Sequence, residues 1–136
     1  MVRVDQLSKT FFDPKRGEIK AVDHVSFEAH PGRILGLLGV NGAGKTTTLR
    51  MLSTVISPGS GSASVGGFDV ATQSTEVRKS IGFVSGSTAL YGRLTGRECL
   101  DYFGRLYGME GDKLNSAIER VTDRLQLQEF LNQLCD

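Results

Sequence analysis

The segment GLLGVNGAGKTTTLR, residues 36–50, constrains the fold more than any other stretch of this chain. Just before the loop, residues 34–38 are apolar on both faces, a pattern that predicts a strand covered on both sides, as in parallel α/β sheets. After the loop, residues 45–52 combine helix formers with two leucines at helical spacing, which predicts a helix. The order strand, glycine loop, helix is typical of an α/β fold.

The loop matches the pattern G-x-x-x-x-G-K-[ST] from Gly39 to Thr46. Glycines let consecutive backbone N–H groups point at a polyphosphate without Cβ atoms in the way, and the start of a helix adds its positive dipole end. We expect the Lys45 ammonium to lie between the β- and γ-phosphates and the Thr46 hydroxyl to bind Mg²⁺. The sequence therefore predicts a site for a magnesium-bound nucleoside triphosphate or diphosphate.

Alternating apolar residues predict an antiparallel sheet in the first half of the chain. Residues 2–7 and 21–27 both alternate apolar with polar side chains, and the segment DPKRGE, residues 13–18, which has four charged side chains, lies between them. This pattern predicts two strands joined by a charged turn. Residues 57–67 are mostly glycine and serine, and we interpret them as a tight turn leading into a short strand instead of a flexible linker.

Helical patterns dominate the second half. Residues 74–80 predict a short helix and residues 81–84 a strand. The sequence TGRE, residues 95–98, fits a capping box, so a longer helix is predicted to begin there. Two apolar stripes at helical spacing follow, which we interpret as core and not as a partner-binding groove: Leu100, Phe103, Leu106, Tyr107, and then Leu114, Ala117, Ile118, Val121, Leu125.

Composition excludes several classes of function. Because 16 basic and 15 acidic residues leave a net charge of +1, no nucleic-acid partner is predicted. The longest apolar run, residues 34–40, is far shorter than the ~20 residues that cross a bilayer, and the N-terminus does not resemble a signal peptide. Cys99 and Cys135 do not have the spacing of a metal-binding or redox motif, and we expect the protein to lie in a reducing cytoplasm. His24 and His30 are interpreted as residues without a functional role.

Four segments carry a family resemblance: VDHVSFEAHPGRILGLLGVNGAGKTTTLRML, SPGSGSASVGGFDV, RKSIGFV and LYGRLTGRECLDYFGRLYGM. They resemble the ATP-binding subunit of ABC transporters, from about Val2 to the end of the chain, and GSTALYGRLT is most similar to exporter-type subunits, including the NatA-like sodium-efflux group. The resemblance implies a truncated α/β fold. It consists of a P-loop NTPase core with an N-terminal antiparallel β subdomain, residues 1–86, and the start of a helical subdomain, residues 87–136.

The resemblance also assigns the site. Thr47 would add a further phosphate contact, and Phe11 would stack on adenine, with Phe12 as its competitor and strand core as the alternative for each. Val40 stands where the family usually has proline, and the amides of its neighbours should tolerate that change. The phosphate cradle would be Asn41, Gly42, Ala43, Gly44, Lys45 and Thr46.

Partners and location follow from the same resemblance. The complete protein would bind Mg-ATP and hydrolyse it as a dimer with a second nucleotide-binding subunit. It would power an integral membrane subunit, and it would lie in the cytoplasm at the inner face of the cell membrane.

Two departures from the family pattern limit these expectations. After IGFV the family usually presents a glutamine that contacts Mg²⁺ and water, whereas this chain has Ser85 and Gly86; glycine cannot supply that contact, although Ser85 or Ser87 is an alternative. The 136 residues also contain no signature motif, Walker B strand or switch histidine of the family. No residue is therefore assigned as catalytic, and we expect this chain alone to bind nucleotide without hydrolysing it.

Three further expectations remain from the sequence. The chain is predicted to be a marginally stable, aggregation-prone fragment, because a parallel strand needs neighbours at its edges. One alternative function is a nucleotide-binding module without catalysis, either folding as it stands or completed by a separate polypeptide. The other is a different P-loop enzyme such as a kinase or GTPase, which the lack of a guanine-reading motif disfavours.

Overall fold

A computed structural model describes residues 1–84 and 90–135, which form two compact units, Met1–Phe83 and Val84–Asp136. The described elements of the first unit are β1 (Val2–Asp13), β2 (Gly17–Ala29), α1 (Lys45–Leu52), β3 (Ser60–Val65), β4 (Phe68–Asp69) and α2 (Ser74–Ser80). Those of the second unit are α3 (Gly96–Leu106) and α4 (Gly111–Leu125).

The strands of the first unit form one antiparallel sheet in the order β2-β1-β3-β4. β1 and β2 pair from one end, Val2 opposite Ala29, to the other, Asp13 opposite Gly17, so the predicted hairpin and its charged turn are confirmed. The predicted turn before β3 and the α1 and α2 helices are also present at the expected positions. One face of the sheet packs with α1 around fully buried Leu7 and Met51, and this cluster forms the core of the unit.

Two predicted strands are not found among the described residues. Residues 34–38 and 81–84 have no regular secondary structure, and Leu38 and Val84 are 93% and 95% exposed. A strand forms only where a neighbour accepts and donates its backbone hydrogen bonds, and no described strand pairs with either segment. The apolar pattern correctly marked residues suited to burial, but the prediction of strand was wrong here.

The second unit buries only part of its predicted core. Leu114 and Ile118 of α4 are buried, as is Cys99 of α3, and Leu100 and Ala117 are half-buried. The interpretation of both stripes as core is wrong for the remaining members, because the two helices contact each other along one narrow face and leave the flank of each stripe exposed: Phe103, Leu106, Tyr107, Val121 and Leu125.

The predicted capping box at the start of α3 is present. The Thr95 hydroxyl accepts a hydrogen bond from the backbone N–H of Glu98 at 3.3 Å, and the Glu98 carboxylate accepts one from the backbone N–H of Thr95 at 2.8 Å. The Thr95 hydroxyl also donates a hydrogen bond to the Glu98 carboxylate. The bonds that Thr95 donates lower the pKa of Glu98 below its usual value, because they favour the ionised carboxylate; the bond from the backbone N–H has the larger effect and the bond from the hydroxyl the smaller one. The box therefore fixes the first residue of α3.

We expect Thr95→Ala to destabilise the second unit by about 1 kcal/mol, because it removes the side-chain acceptor for an amide that the helix itself cannot satisfy. Urea unfolding followed by circular dichroism measures the change. Ser116→Ala, on the exposed surface of α4, is the matched control and should be neutral or slightly stabilising. Equal losses from both variants would contradict the capping role.

Other predictions concern side chains outside the core. His24 and His30 lie on the surface beside the carboxylates of Asp23 and Glu28. In residues 1–84 and 90–135, no group of three or more metal-binding side chains is found, and no helix is long and apolar enough to cross a membrane. The Cys135 thiol lies 3.6 Å from the Cys99 sulfur, a proximity that their spacing in the sequence did not indicate.

Candidate functional site

The glycine loop connects β2 to α1 and delivers its last glycine directly to the start of the helix. Gly44 is the residue before α1, has a left-handed conformation with φ of 85°, and carries no side chain to cap the helix. The backbone N–H of Thr48 donates to the Gly44 carbonyl at 2.8 Å, which closes the first helical turn. Because the first amides of a helix have no acceptors within it, the end of α1 presents N–H donors and a positive dipole end to the loop.

A concave site of about 230 Å³ lies at this end of α1. Residues 41–47 line it, so the structure brings together the predicted residues Asn41, Gly42, Ala43, Gly44, Lys45, Thr46 and Thr47. Ala21 of β2 forms the remaining wall and was missed by the sequence analysis. The geometry therefore gathers seven consecutive loop and helix residues around one small cavity suited to an anion.

Lys45 is the cation of this cavity. Its half-buried side chain folds back over the loop, and the ammonium donates to the carbonyl oxygens of Gly39 at 2.6 Å and Val40 at 2.8 Å. Gly39 thus contributes its carbonyl, although it does not line the cavity. Both carbonyls belong to exposed residues, so water can replace the ammonium there when an anion draws Lys45 away.

The three consecutive threonines differ in their surroundings. Thr48 is buried, and its hydroxyl donates to the Gly44 carbonyl at 3.0 Å, so it supports the loop. Thr47 is half-buried and Thr46 is exposed at the mouth of the cavity. Within the described residues the Thr46 hydroxyl has no hydrogen-bond partner, which leaves it available as an oxygen ligand for a hard cation such as Mg²⁺.

Ala21 reaches the loop because β2 is irregular at that point. Lys20 pairs with Thr10 and Val22 pairs with Lys9, so Ala21 is an extra residue between two paired positions. Its carbonyl oxygen lies so near Gly44 that a Cβ atom added to Gly44 would overlap it. The bulge therefore explains both the wall of the cavity and the need for glycine before α1.

The two phenylalanines of β1 lie outside the cavity lining. Phe11 pairs with Ile19, is 42% exposed, and has the Lys9 ammonium 5.5 Å from its ring centroid. Phe12 is 76% exposed and points to the opposite face, as successive strand residues do. Neither phenylalanine is buried, so the alternative interpretation of each as strand core is wrong. Adenine stacking stays a prediction for both.

Other expected positions are not described. Ser85, Gly86 and Ser87, which the sequence analysis considered in place of a glutamine, lie outside the described residues. In the part of the chain that is described, the cavity lining contains no carboxylate and no imidazole. The site as described can hold an anion and offers no side chain that would act as a general base.

Comparison with known proteins identifies the family of this chain. The family model described as ABC transporter matches residues 22–136. The ATP-binding protein NatA of Bacillus subtilis is 40% identical over 134 residues, which cover 98% of this chain and 54% of NatA. The probable multidrug ABC transporter ATP-binding protein YbhF of Escherichia coli is 35% identical over 136 residues, covering the whole chain and 23% of YbhF.

Solved structures agree on the fold. The ATP-binding cassette MJ0796, in a dimeric post-hydrolysis state bound to ADP and Pi, superposes with a TM-score of 0.84 at 22% identity, covering 98% of this chain and 61% of that one. The expected fold class, with a P-loop NTPase core and an antiparallel β subdomain, is confirmed by this likeness. The chain belongs to the ABC transporter family, in the group of its ATP-binding proteins. It spans about half the length of NatA.

Proposed function

We propose that this chain binds Mg-ATP in the cavity at the start of α1, as part of the ATP-hydrolysing subunit of an ABC transporter. The observation that carries the proposal is the clustering of residues 41–47 around one small cavity with a half-buried lysine. Its volume of about 230 Å³ suits a polyphosphate group, and the adenosine portion would lie outside it.

Each residue has a proposed role in this complex. The backbone amides of Asn41, Gly42, Ala43 and Gly44 would surround the β-phosphate, and Thr47 would add a hydroxyl contact. Lys45 would leave the carbonyls of Gly39 and Val40 and bind the β- and γ-phosphates. Thr46 would bind Mg²⁺, which neutralises charge on the phosphate oxygens when it is bound.

The adenine contact is proposed for Phe11, with Phe12 as the competing residue. Phe11 already holds a cation over its ring, at 5.5 Å from the Lys9 ammonium, so one ring face is in use. Its exposed fraction of 42% leaves apolar surface for a planar base. Phe12 is the more exposed residue and would stack from the opposite face of β1.

The whole protein's activity and partners are also proposals. We propose a second nucleotide-binding subunit, an integral membrane subunit and a cytoplasmic location at the inner face of the membrane. We further propose a β subdomain and P-loop core over residues 1–86 and the start of a helical subdomain over residues 87–136. Relatives that are ABC transporter ATP-binding proteins, among them NatA and the probable multidrug protein YbhF, support an ATP-driven transporter but do not identify the cargo of this one.

A second candidate is nucleotide binding without turnover by this chain. The observation that favours it is the lack of a carboxylate or imidazole in the described cavity lining, because an attacking water then has no group to orient it. In the longer protein, residues outside this chain would supply that group. The two proposals share the binding step and differ only in hydrolysis.

Isothermal titration calorimetry of the 136-residue chain with ATP, ADP and AMP, each with Mg²⁺, tests the shared step. We expect ATP and ADP to bind at least about 10-fold more tightly than AMP, because only they place a phosphate beside Lys45. A phosphate-release assay on the same sample should detect no turnover. Equal binding of AMP would contradict the proposed cavity.

A further inference from the structure

The start of α3 is hydrogen-bonded to the segment that follows α4. The backbone N–H of Gly96 donates to the Gln133 carbonyl at 3.0 Å, and that of Arg97 donates to the Leu131 carbonyl at 2.9 Å. The N–H of Cys135 donates to the Leu94 carbonyl at 2.9 Å. Three backbone bonds therefore hold the segment after α4 in a fixed register against the start of α3.

Glycine at position 96 allows this close approach. A Cβ atom added there would lie 3.0 Å from the Phe130 carbonyl oxygen and 3.4 Å from the Leu131 Cα. Contacts this short require the backbone to move, so a larger residue would push the two segments apart. The alignment of the two segments thus depends on Gly96, which takes no part in the hydrogen bonds of the capping box.

This contact brings two thiols together. Cys99, in the first turn of α3, is 5% exposed, and Cys135 is half-buried. Their sulfur atoms are 3.6 Å apart although the residues are 36 positions apart in the sequence. A disulfide bond is about 2.05 Å long, so the two sulfur atoms would have to move about 1.5 Å closer to form one.

The two thiols also have access to a reagent. Both residues line an apolar cavity of about 350 Å³ in the second unit, together with Leu100, Phe103 and Leu131. The cavity leaves free space beside both sulfur-bearing residues, into which the side chains could move. Since Cys135 is less buried than Cys99, it is the thiol that a solution reagent meets first.

We propose that Cys99 and Cys135 are a redox-active pair that small-molecule disulfides such as glutathione disulfide convert into an internal disulfide. The Cys135 thiolate attacks one glutathione sulfur and releases a glutathione thiolate, which takes up the proton that Cys135 lost. The Cys99 thiolate then attacks the Cys135 sulfur and expels the second glutathione, which takes up the Cys99 proton. The cysteine pair loses two electrons, and glutathione disulfide is reduced to two molecules of glutathione.

The product would lock the segment after α4 onto α3. A disulfide restricts the unfolded chain between its two cysteines, so oxidation is expected to raise the melting temperature of the second unit by on the order of 10 °C. Excess glutathione reverses the reaction. This inference does not depend on nucleotide binding at the glycine loop.

Equilibration of the 136-residue chain in glutathione buffers of graded composition, followed by acid quench and mass spectrometry, tests the pair. The wild type should lose two hydrogen atoms in mass, whereas Cys99→Ser and Cys135→Ser should gain only a single glutathione. These data give the effective concentration of one thiol in the presence of the other. We expect this effective concentration to be at least about 100-fold higher in native buffer than in about 6 M guanidinium chloride.

Two further results decide the proposal. Gly96→Ala should lower the native effective concentration at least about 10-fold, because it displaces the backbone contact that aligns the sulfur atoms. An effective concentration equal in native and denaturing buffer would overturn the inference, as would a native product dominated by two glutathione adducts. Either outcome means that the folded chain does not hold the thiols together.

Discussion

Replacing Lys45 with alanine is expected to weaken Mg-ATP binding about 100-fold while leaving the melting temperature nearly unchanged. A hydrogen bond to a charged group contributes about 1.5–3 kcal/mol, and the lysine would make such bonds to two phosphates at once. Stability should change little because the carbonyls of Gly39 and Val40, which now accept from Lys45, belong to exposed residues and can bind water instead. Calorimetric titration and a thermal melt of the same sample measure both quantities.

Lys79→Ala is the matched control for this experiment. It removes one positive charge from a chain whose net charge is +1, as Lys45→Ala does, but Lys79 lies on α2 in an exposed ion pair with Glu76 at 3.0 Å and does not line the cavity. An exposed pair of this kind contributes little to stability. Nucleotide affinity should therefore stay within about 2-fold of the wild type. Similar losses from the two variants would show that net charge, and not the position of Lys45, governs binding.

Local signals account for the parts of the fold that the sequence predicted well. The start of α1 at Lys45 follows from a glycine before it, and the start of α3 follows from the reciprocal bonds of Thr95 and Glu98. The β1–β2 hairpin follows from alternation on either side of a charged turn. At the two helix starts the determining residues lie within a few positions of each other, and in the hairpin each strand and the turn between them is a short contiguous segment, so the sequence contains each signal.

Features that depend on distant residues were predicted less well. Residues 34–38 have the composition of a buried strand, yet a strand also needs a neighbour, and the described sheet supplies none. The stripes on α3 and α4 have helical spacing, but spacing does not tell how wide a face the neighbouring helix covers. Leu106 and Leu125 are more than 60% exposed for this reason.

The residues of the candidate site also differ in how well the sequence predicted them. Residues 41–47 were predicted from one contiguous motif, and the structure gathers them around one cavity. Ala21 was missed because its place depends on a bulge between Lys20 and Val22, which alternation in the sequence does not reveal. Thr48 had a detectable signal, since a threonine four positions after a glycine at a helix start can bond back to that glycine.

The bulge at Ala21 makes Gly44→Ala a strongly destabilising substitution in the first unit. The added Cβ atom would overlap the Ala21 carbonyl oxygen and lie 3.1 Å from a methyl group of buried Val22. Gly44 also has φ of 85°, a conformation that costs a residue with a side chain about 1–2 kcal/mol. With the cost of moving β2 or the loop added, we expect a loss of about 3 kcal/mol, measured by urea unfolding.

Gly42→Ala separates the two contributions. Gly42 has nearly the same backbone angle, φ of 86°, but a Cβ atom added there would have no neighbour within 4 Å. Its loss should therefore be only the conformational cost, about 1–2 kcal/mol, and the difference between the variants reports the contact between the loop and β2. If both variants lose the same stability, the Ala21 carbonyl does not constrain the loop, and the requirement for glycine before α1 is one of backbone conformation alone.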